Sequence, residues 1–394
     1  MKKGIALVTA LFIMLLTACA PVANENGKDY THTNYDEMRA VWLSYYDYDF
    51  NDDNEETAKA KIESIFKNIY DLKLNTVFVH VRANADAIYK SELFPYSDTV
   101  YTLMERAPDF DILKHMIDCA HKYDLKIHAW INPFRVSNTH MDPELLPDGH
   151  IAKEWYKNGN TDYKVIPYNE KIYFNPSVTE VRRLIIDGVR EIIASYDIDG
   201  IHFDDYFYPV CDESFDAESY KAYCESAATP LSLYEWRTAN ISTLVSAVKK
   251  ITEENGLLFG ISPSAHIDDD YLSKNGYADI KTWLQSDGYV DYIIPQIYWG
   301  FQYPNEEYAF DNMLKKWCSL ARKGPKLYVG LAAYKAGAID LNSEWQENTD
   351  ILKRQILSLR KSGVLGFSLF SYSYLFGQDE HLAKERTNIK SVLN

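Results

Sequence analysis

Apolar and polar positions alternate at two different spacings along most of this chain. Short runs rich in β-branched and aromatic residues recur at 39–44, 75–82, 126–132, 200–204, 258–262, 291–298, 327–332 and 366–370, and each reads as a strand. Between them lie stretches whose apolar residues return every three or four positions, at 57–72, 110–123, 179–196, 233–254, 308–322 and 344–361, which read as amphipathic helices. Strand then helix, eight times over, predicts an α/β fold and specifically a (β/α)8 TIM barrel. The competing arrangement, an open doubly wound sheet, usually carries a glycine-rich phosphate turn after its first strand; here that strand runs into Ser44-Tyr45-Tyr46-Asp47. Two connections, 136–175 and 206–232, are longer than a barrel needs. They follow the third and fourth strands on the C-terminal face, where barrels build their sites, and each is expected to form a lid or a cleft wall.

The N-terminus follows neither spacing. Lys2 and Lys3 precede an apolar run too short for a permanent membrane span, which is how an export signal reads. Leu16-Thr17-Ala18-Cys19 resembles a bacterial lipobox, so residues 1–18 are expected to be removed and Cys19 to carry lipid, anchoring the protein outside the cytoplasm. Residues 19–37 then form a polar tether that at full stretch spans roughly 60 Å. A single barrel domain occupies 38–394. Of the four remaining cysteines, Cys211 and Cys224 lie in one excursion and could pair in an oxidising compartment, whereas Cys119 and Cys318 fall in helical patterns as buried thiols.

Strand parity locates candidate chemistry, because alternate side chains face the helices and the lumen. In the second strand Val77, Val79 and Val81 oppose His80 and Arg82, followed by Asn84. The third sets Ile127, Ala129 and Ile131 against His128, Trp130 and Asn132, with Arg135 just beyond. Ile201 and Phe203 oppose His202 and Asp204, Ile297 opposes Gln296 and Tyr298, and Phe367 opposes Ser368. Polar groups from five strands aimed at one place would be costly to bury without a ligand or water.

Composition sharpens this reading. A net charge of −16, with no block of Lys and Arg, argues against a nucleic-acid partner. The 31 Tyr, 17 Phe and 8 Trp exceed ordinary core needs, and many follow strand ends: Tyr45, Tyr46 and Tyr48; Tyr206, Phe207 and Tyr208; Trp299, Phe301 and Tyr303; Tyr372, Tyr374 and Phe376. Flat rings with a polar edge suit sugar rings, whose hydroxyls need Arg, Asn, Gln and His partners. A protein-binding surface would also favour tyrosine.

Asp204 and Asp205 at the end of the fourth strand are the candidate catalytic pair. Glycoside hydrolysis usually takes two carboxyl groups from different strands, yet the nearest others are Asp268, Asp269 and Asp270 after strand five. Adjacent carboxylates suit a route in which a substrate 2-acetamido group is the nucleophile, one Asp orients it and the other protonates the leaving oxygen. Consecutive strand residues point apart, so Asp205 reaches the cleft only if the chain turns there. His80, His128, His202 and His266 raise a metallohydrolase alternative, but no H-x-H, H-E-x-x-H or paired-cysteine spacing supports it, and neither metal nor cofactor is called for.

Several segments resemble the glycosyl hydrolase-like 10 family of exported bacterial proteins. They are Arg39-Ala40-Val41-Trp42-Leu43, residues 128–135, Asp199-Gly200-Ile201-His202-Phe203-Asp204-Asp205-Tyr206, Trp236-Arg237-Thr238-Ala239-Asn240, Phe259-Gly260-Ile261-Ser262-Pro263 and Pro295-Gln296-Ile297-Tyr298-Trp299. The resemblance implies a barrel glycosidase acting outside the membrane, with family members linked to peptidoglycan glycan strands stripped of peptides. It supports Asp204 and Asp205 and adds Arg237 and Asn240 as site residues. The expected substrate-binding set is Arg82, Asn84, His128, Trp130, Asn132, Arg135, His202, Tyr206, Arg237, Asn240, Gln296, Tyr298 and Trp299. The partners expected are a polysaccharide and, through the anchor, a membrane. A glycan-binding lipoprotein without turnover and a metal-dependent deacetylase stand as alternatives.

Overall fold

The computed structural model describes residues 37–50, 54–97, 110–209, 211–268, 271, 275–321 and 324–393. Its main sheet is wholly parallel: Met38–Leu43, Thr76–Arg82, Lys126–Ile131, Gly200–Phe203, Leu258–Ile261, Tyr292–Ile293, the divided seventh strand Lys326–Leu327 and Val329–Leu331, and Gly366–Leu369. The first half of the seventh strand pairs with the sixth and the second half with the eighth, which in turn pairs with the first. This closes the ring of eight, the (β/α)8 barrel that the alternating pattern predicts.

Two apolar layers hold it. Val77, Val79, Ile127, Ala129, Ile201, Phe203, Phe367 and Leu369 face outward onto the helices. A smaller cluster of Ala40, Trp42, Phe78, Trp130, Tyr292, Ile294 and Tyr328 fills the lumen, so the barrel is a packed core rather than a pore. Gly260 makes room for it: a Cβ there would lie 2.0 Å from the Tyr292 ring, which crosses the lumen at that level.

Besides the divided seventh strand, two expected elements are interrupted. The sixth strand keeps ladder pairing only at Tyr292–Ile293, because Pro295 has no N–H to donate, and a bridge resumes at Gln296. The helix expected over 344–361 is split into Glu344–Glu347 and Ile351–Lys361. At the break, the buried Glu385 carboxyl oxygen Oε1 accepts from Ile351 N (3.0 Å) at the start of the second helix.

Both long connections carry secondary structure among their described residues. The first contributes a three-stranded antiparallel sheet of Arg135–Ser137, Lys171–Phe174 and Val165–Tyr168, with the helix Ile151–Lys157 beside it. Its hairpin turns at Asn169 and Glu170, both at positive φ (47° and 62°), the two-residue geometry that matches strand twist. The second carries the helix Ala217–Ser226 and docks on the first: Phe215 packs edge-on against Tyr168 and Tyr173, and Asn175 Nδ2 donates to Ser219 Oγ. Cys211 and Cys224, in this second excursion, are both free thiols.

Candidate active site

The fourth strand ends at Phe203, and the chain bends at once. Asp204 stays on the lumen side, while Phe207 N donates to Asp205 O (3.1 Å), a tight turn that swings Asp205 into the cleft as well. Adjacent carboxyl groups that a continued strand would have aimed apart therefore share one site.

Their surroundings differ. Asp204 is buried and accepts from Tyr206 N (3.1 Å) on Oδ1 and from Trp130 Nε1 (3.0 Å) and Asn132 Nδ2 (3.4 Å) on Oδ2. Burial raises its pKa, and the Arg135 guanidinium and these donors oppose the rise by favouring the charged form. Asp205 is pushed up to about 7, first by desolvation and second by the Asp204 charge, with a hydrogen bond from Gln296 pulling the other way. Burial thus raises both carboxyls, but Asp204 has three donors and a guanidinium favouring its charge whereas Asp205 has a neighbouring charge against it, an asymmetry that suits acid–base chemistry at one bond.

The supporting residues are fixed from several strands. Trp130 stacks face to face on His80, with centroids 3.6 Å apart. Arg135 donates from Nε and Nη2 to Ala83 O, reaches Asn84 Oδ1 at 3.2 Å, and lies 5.2 Å from the Tyr206 ring. Gln296 Nε2 is tied to Ser262 O (2.9 Å). Tyr298 packs between Tyr334 and Phe370, and burial together with Tyr334, Asp205 and Asp204 raises its phenol well above the ordinary range, so it remains a proton donor. Asn84, Trp130, Asn132, Arg135, Tyr206, Gln296 and Tyr298 accordingly gather around the two aspartates.

Other candidates lie elsewhere. A register shift between His80 and Arg82 pairs Arg82 with the outward-facing Ile131, so strand parity fails there. The Arg82 guanidinium packs 4.4 Å from the Phe94 ring, behind the barrel wall and near Gly188. His128 and His202 sit in the lumen floor. Trp42 Nε1 donates to His202 Nε2 (3.3 Å), which leaves His202 Nδ1–H to donate to Tyr292 OH (3.2 Å) and the phenol to donate to His128 Nδ1 (2.9 Å). Both rings are kept neutral by burial, His128 down to about 4.

Arg237, on the helix Leu233–Glu254, is buried against the second excursion, donating from Nε to Asp216 (3.1 Å) and from Nη1 to Tyr277 OH (2.6 Å). Asn240, on the same helix, accepts from Arg182 Nη1 (3.0 Å) on the far side of that wall. Trp299 stands further along the rim, against His266 and Tyr308.

Other acids on this face have structural partners. Asp47 staples the ends of the first and eighth strands by accepting from Ser371 Oγ (3.0 Å) and Ser373 N (2.9 Å). Asp268 faces His266 at 3.8 Å, and Asp269 and Asp270 lie outside the described residues. Among the described residues, no three His, Cys, Asp or Glu side chains are grouped to hold a metal ion.

The aromatic surplus divides in two. Tyr45, Tyr48, Phe207 and Tyr208 are buried supports, whereas Tyr46 (75% exposed), Tyr206 (55%) and Tyr374 (50%) present their rings at the rim. A cleft of about 320 Å³ opens beside Asp205, walled by Tyr168, Lys171 and Tyr173 of the hairpin and by Ser264, Tyr271 and Asn275 after the fifth strand. None of these wall residues stands out from sequence pattern alone. The available signal was the Asn169-Glu170 turn between two alternating runs, which reads as a hairpin rising over the site.

The fold recurs in solved structures at low sequence identity. The glycoside hydrolase domain of PgaB (BpsB) from Bordetella bronchiseptica superposes with a TM-score of 0.58 at 14% identity, covering 90% of this chain and 99% of that one. The endo-1,4-beta-mannanase of Rhizomucor miehei gives 0.54 at 12% identity, over 91% and 94%. Sequence relatives include glycosyl hydrolase YngK of Bacillus subtilis, 30% identical over 85% of this chain and 68% of that protein. Glycosyl hydrolase DigH of Escherichia coli K12 is 29% identical over 90% and 87%. The model of the family described as glycosyl hydrolase-like 10 matches residues 37–347. On that match and on these relatives, the chain belongs to the glycosyl hydrolase-like 10 family.

Proposed function

We propose that the protein is a glycosidase that cleaves an N-acetylated polysaccharide, peptide-free peptidoglycan glycan strands, while anchored outside the cytoplasm by lipid on Cys19. The observation that carries the reading is the contrast between adjacent carboxyl groups: Asp204 held by three donors, Asp205 pushed up to about 7. In this scheme Asp204 accepts the N–H of the substrate 2-acetamido group and orients its carbonyl oxygen towards the anomeric carbon. That oxygen forms a bond to carbon as the glycosidic C–O bond breaks, and Asp205 gives its proton to the departing oxygen. Asp205, now a carboxylate, takes a proton from water as the water oxygen attacks the anomeric carbon and the acetamido oxygen leaves. Tyr298, close enough to feel both charges, donates to the reacting acetamido oxygen.

Purified protein incubated with peptide-free glycan strands should generate new reducing ends, and Asp204→Asn and Asp205→Asn should each lower the rate by at least about a hundredfold. Undiminished activity in both variants would overturn the assignment. Binding of oligomers without any product, in wild type and variants alike, would point instead to a glycan-binding lipoprotein.

A further inference from the structure

The segment Trp236-Arg237-Thr238-Ala239-Asn240 has no part in the cleft at the aspartates, since Arg237 is committed to Asp216 and Asn240 to Arg182. Trp236 and Asn240 line a second groove instead, of about 550 Å³, which shares no lining residue with the cleft beside Asp205. It runs between the helices Leu233–Glu254 and Ala217–Ser226 and the loop carrying Asp162 and Tyr163. That size falls among small-ligand sites, which run from about 300 to 1,000 Å³.

Trp236 is only 7% exposed, yet no protein group among the described residues accepts from its indole N–H, which leaves that donor to water or to an oxygen of a bound molecule. Its ring is held by stacking on Tyr223 (centroids 5.7 Å, 27° between planes), with Tyr220 at 5.2 Å. Both phenols are pinned at Leu231, whose N donates to Tyr223 OH (3.1 Å) and whose O accepts from Tyr220 OH (2.8 Å).

Tyr163 stands at positive φ (52°), where a large side chain persists only if its neighbours enforce it. They do so here: Tyr163 N donates to Asn160 O (2.8 Å), and Tyr163 O accepts from the buried Asn175 Nδ2 (3.0 Å). Gly or Asn would serve the turn with less strain; what Tyr adds is a ring, 46% exposed, at the groove. The charged members of the lining are both acids, Asp162, paired with Lys164 (3.3 Å), and Glu218, exposed and without an ion-pair partner among the described residues. No strand contributes to the lining, so an extended peptide would find no ladder to join.

We propose that this groove is a second, non-catalytic binding site for a neutral sugar chain. The rings of Tyr163 and Tyr223 pack on the C–H faces of the sugar, the Trp236 indole N–H donates to a hydroxyl or acetamido oxygen, and Glu218 and Asp162 accept from hydroxyls. With two carboxylates and no cation in its lining, the groove disfavours anionic sugars. The site stands whether or not Asp204 and Asp205 turn over substrate.

The probe is the neutral β-1,4-linked tetramer of N-acetylglucosamine, titrated into protein carrying isotope-labelled tryptophan and Asp205→Asn, so that the probe is not consumed. Trp236→Phe and Trp130→Phe assign the two indole N–H resonances, one reporting the groove and the other the cleft. The Trp236 resonance should shift along a saturation curve of its own. Tyr163→Asn, which suits the left-handed backbone, and Glu218→Gln should each weaken that curve by about three- to tenfold and leave the Trp130 curve in place. A Trp236 resonance that does not move, or a curve that both variants leave unchanged, would overturn the proposal. The same tetramer bearing carboxylates on alternate sugars should bind the groove more weakly; tighter binding would overturn the choice of a neutral ligand.

Discussion

Trp130→Phe tests the division of labour between the two aspartates without touching either. The substitution keeps an aromatic ring against His80 and deletes the indole N–H that donates to Asp204 Oδ2 at 3.0 Å. The other donor to that oxygen, Asn132 Nδ2, is at 3.4 Å and replaces little of it. A hydrogen bond to a charged group contributes about 1.5–3 kcal/mol, which at 1.36 kcal/mol per unit is a rise of roughly one to two pKa units for Asp204. The donor favours the ionised form, so its loss makes ionisation harder and moves the acidic limb of the pH–rate profile upward. The alkaline limb, set by loss of the proton from Asp205 near 7, should stay close to its place, so the bell narrows and its maximum falls. On the acidic side of the original limb kcat/KM should drop by about tenfold to a hundredfold, with a deficit that shrinks as the pH rises towards 7. The assay is reducing-end release from peptide-free glycan between pH 4 and 9, with a thermal melt to confirm that the variant is folded. An acidic limb that stays where it was, or a loss by the same factor at every pH, would refute the role given to Asp204.

Three further outcomes are expected. Glu385 is fully buried and pushed up to about 7 from 4.5, so the folded state keeps its proton while the unfolded chain ionises; stability falls as pH rises from about 4.5 to 7 and is level above. Glu385→Gln keeps an acceptor for Ile351 N and should raise stability at pH 8 by about 1–3 kcal/mol and leave it unchanged at pH 4, measured by urea unfolding. Arg237→Ala strands the buried Asp216 and should cost about 3–5 kcal/mol; a normal melting temperature with only a raised KM would return Arg237 to the substrate site. Cys19→Ser should move the exported protein from the membrane to the soluble fraction, and continued retention would remove the lipid from the scheme.

What was legible in the sequence follows from what is periodic. The barrel could be read because its strands and helices carry different spacings, and Asp204 because it closes a strand whose alternate residues are apolar. Arg82 could not be placed, since a single register shift reverses every side chain beyond it and leaves no mark on composition. Parity also cannot report depth: His128 and His202 face the lumen as expected, but in its floor, where each has a ring partner in place of a ligand. Arg237 and Asn240 came from resemblance alone, and their partners Asp216 and Arg182 belong to other elements. Lys171 became visible only when the hairpin was folded over the cleft, a contact between segments that neither spacing encodes.

The first barrel strand has a mechanical consequence. It starts at Met38, directly after Glu37, whose carboxylate is gripped by Arg360 Nε and Nη2 (2.7 and 2.8 Å) at the end of the barrel opposite the aspartates. With the lipid proposed on Cys19, the tether would join the barrel at the end opposite the aspartates, so lipid and bound polymer would pull on opposite ends of it. Any drag on a bound strand would then be transmitted along the axis of Met38–Leu43. That strand is laddered on both sides, to Thr76–Arg82 and to Gly366–Leu369, so such a pull loads two rows of hydrogen bonds in shear instead of unzipping them singly. On the proposed anchoring, the strand nearest the tether would therefore carry the load through hydrogen bonds on both of its sides.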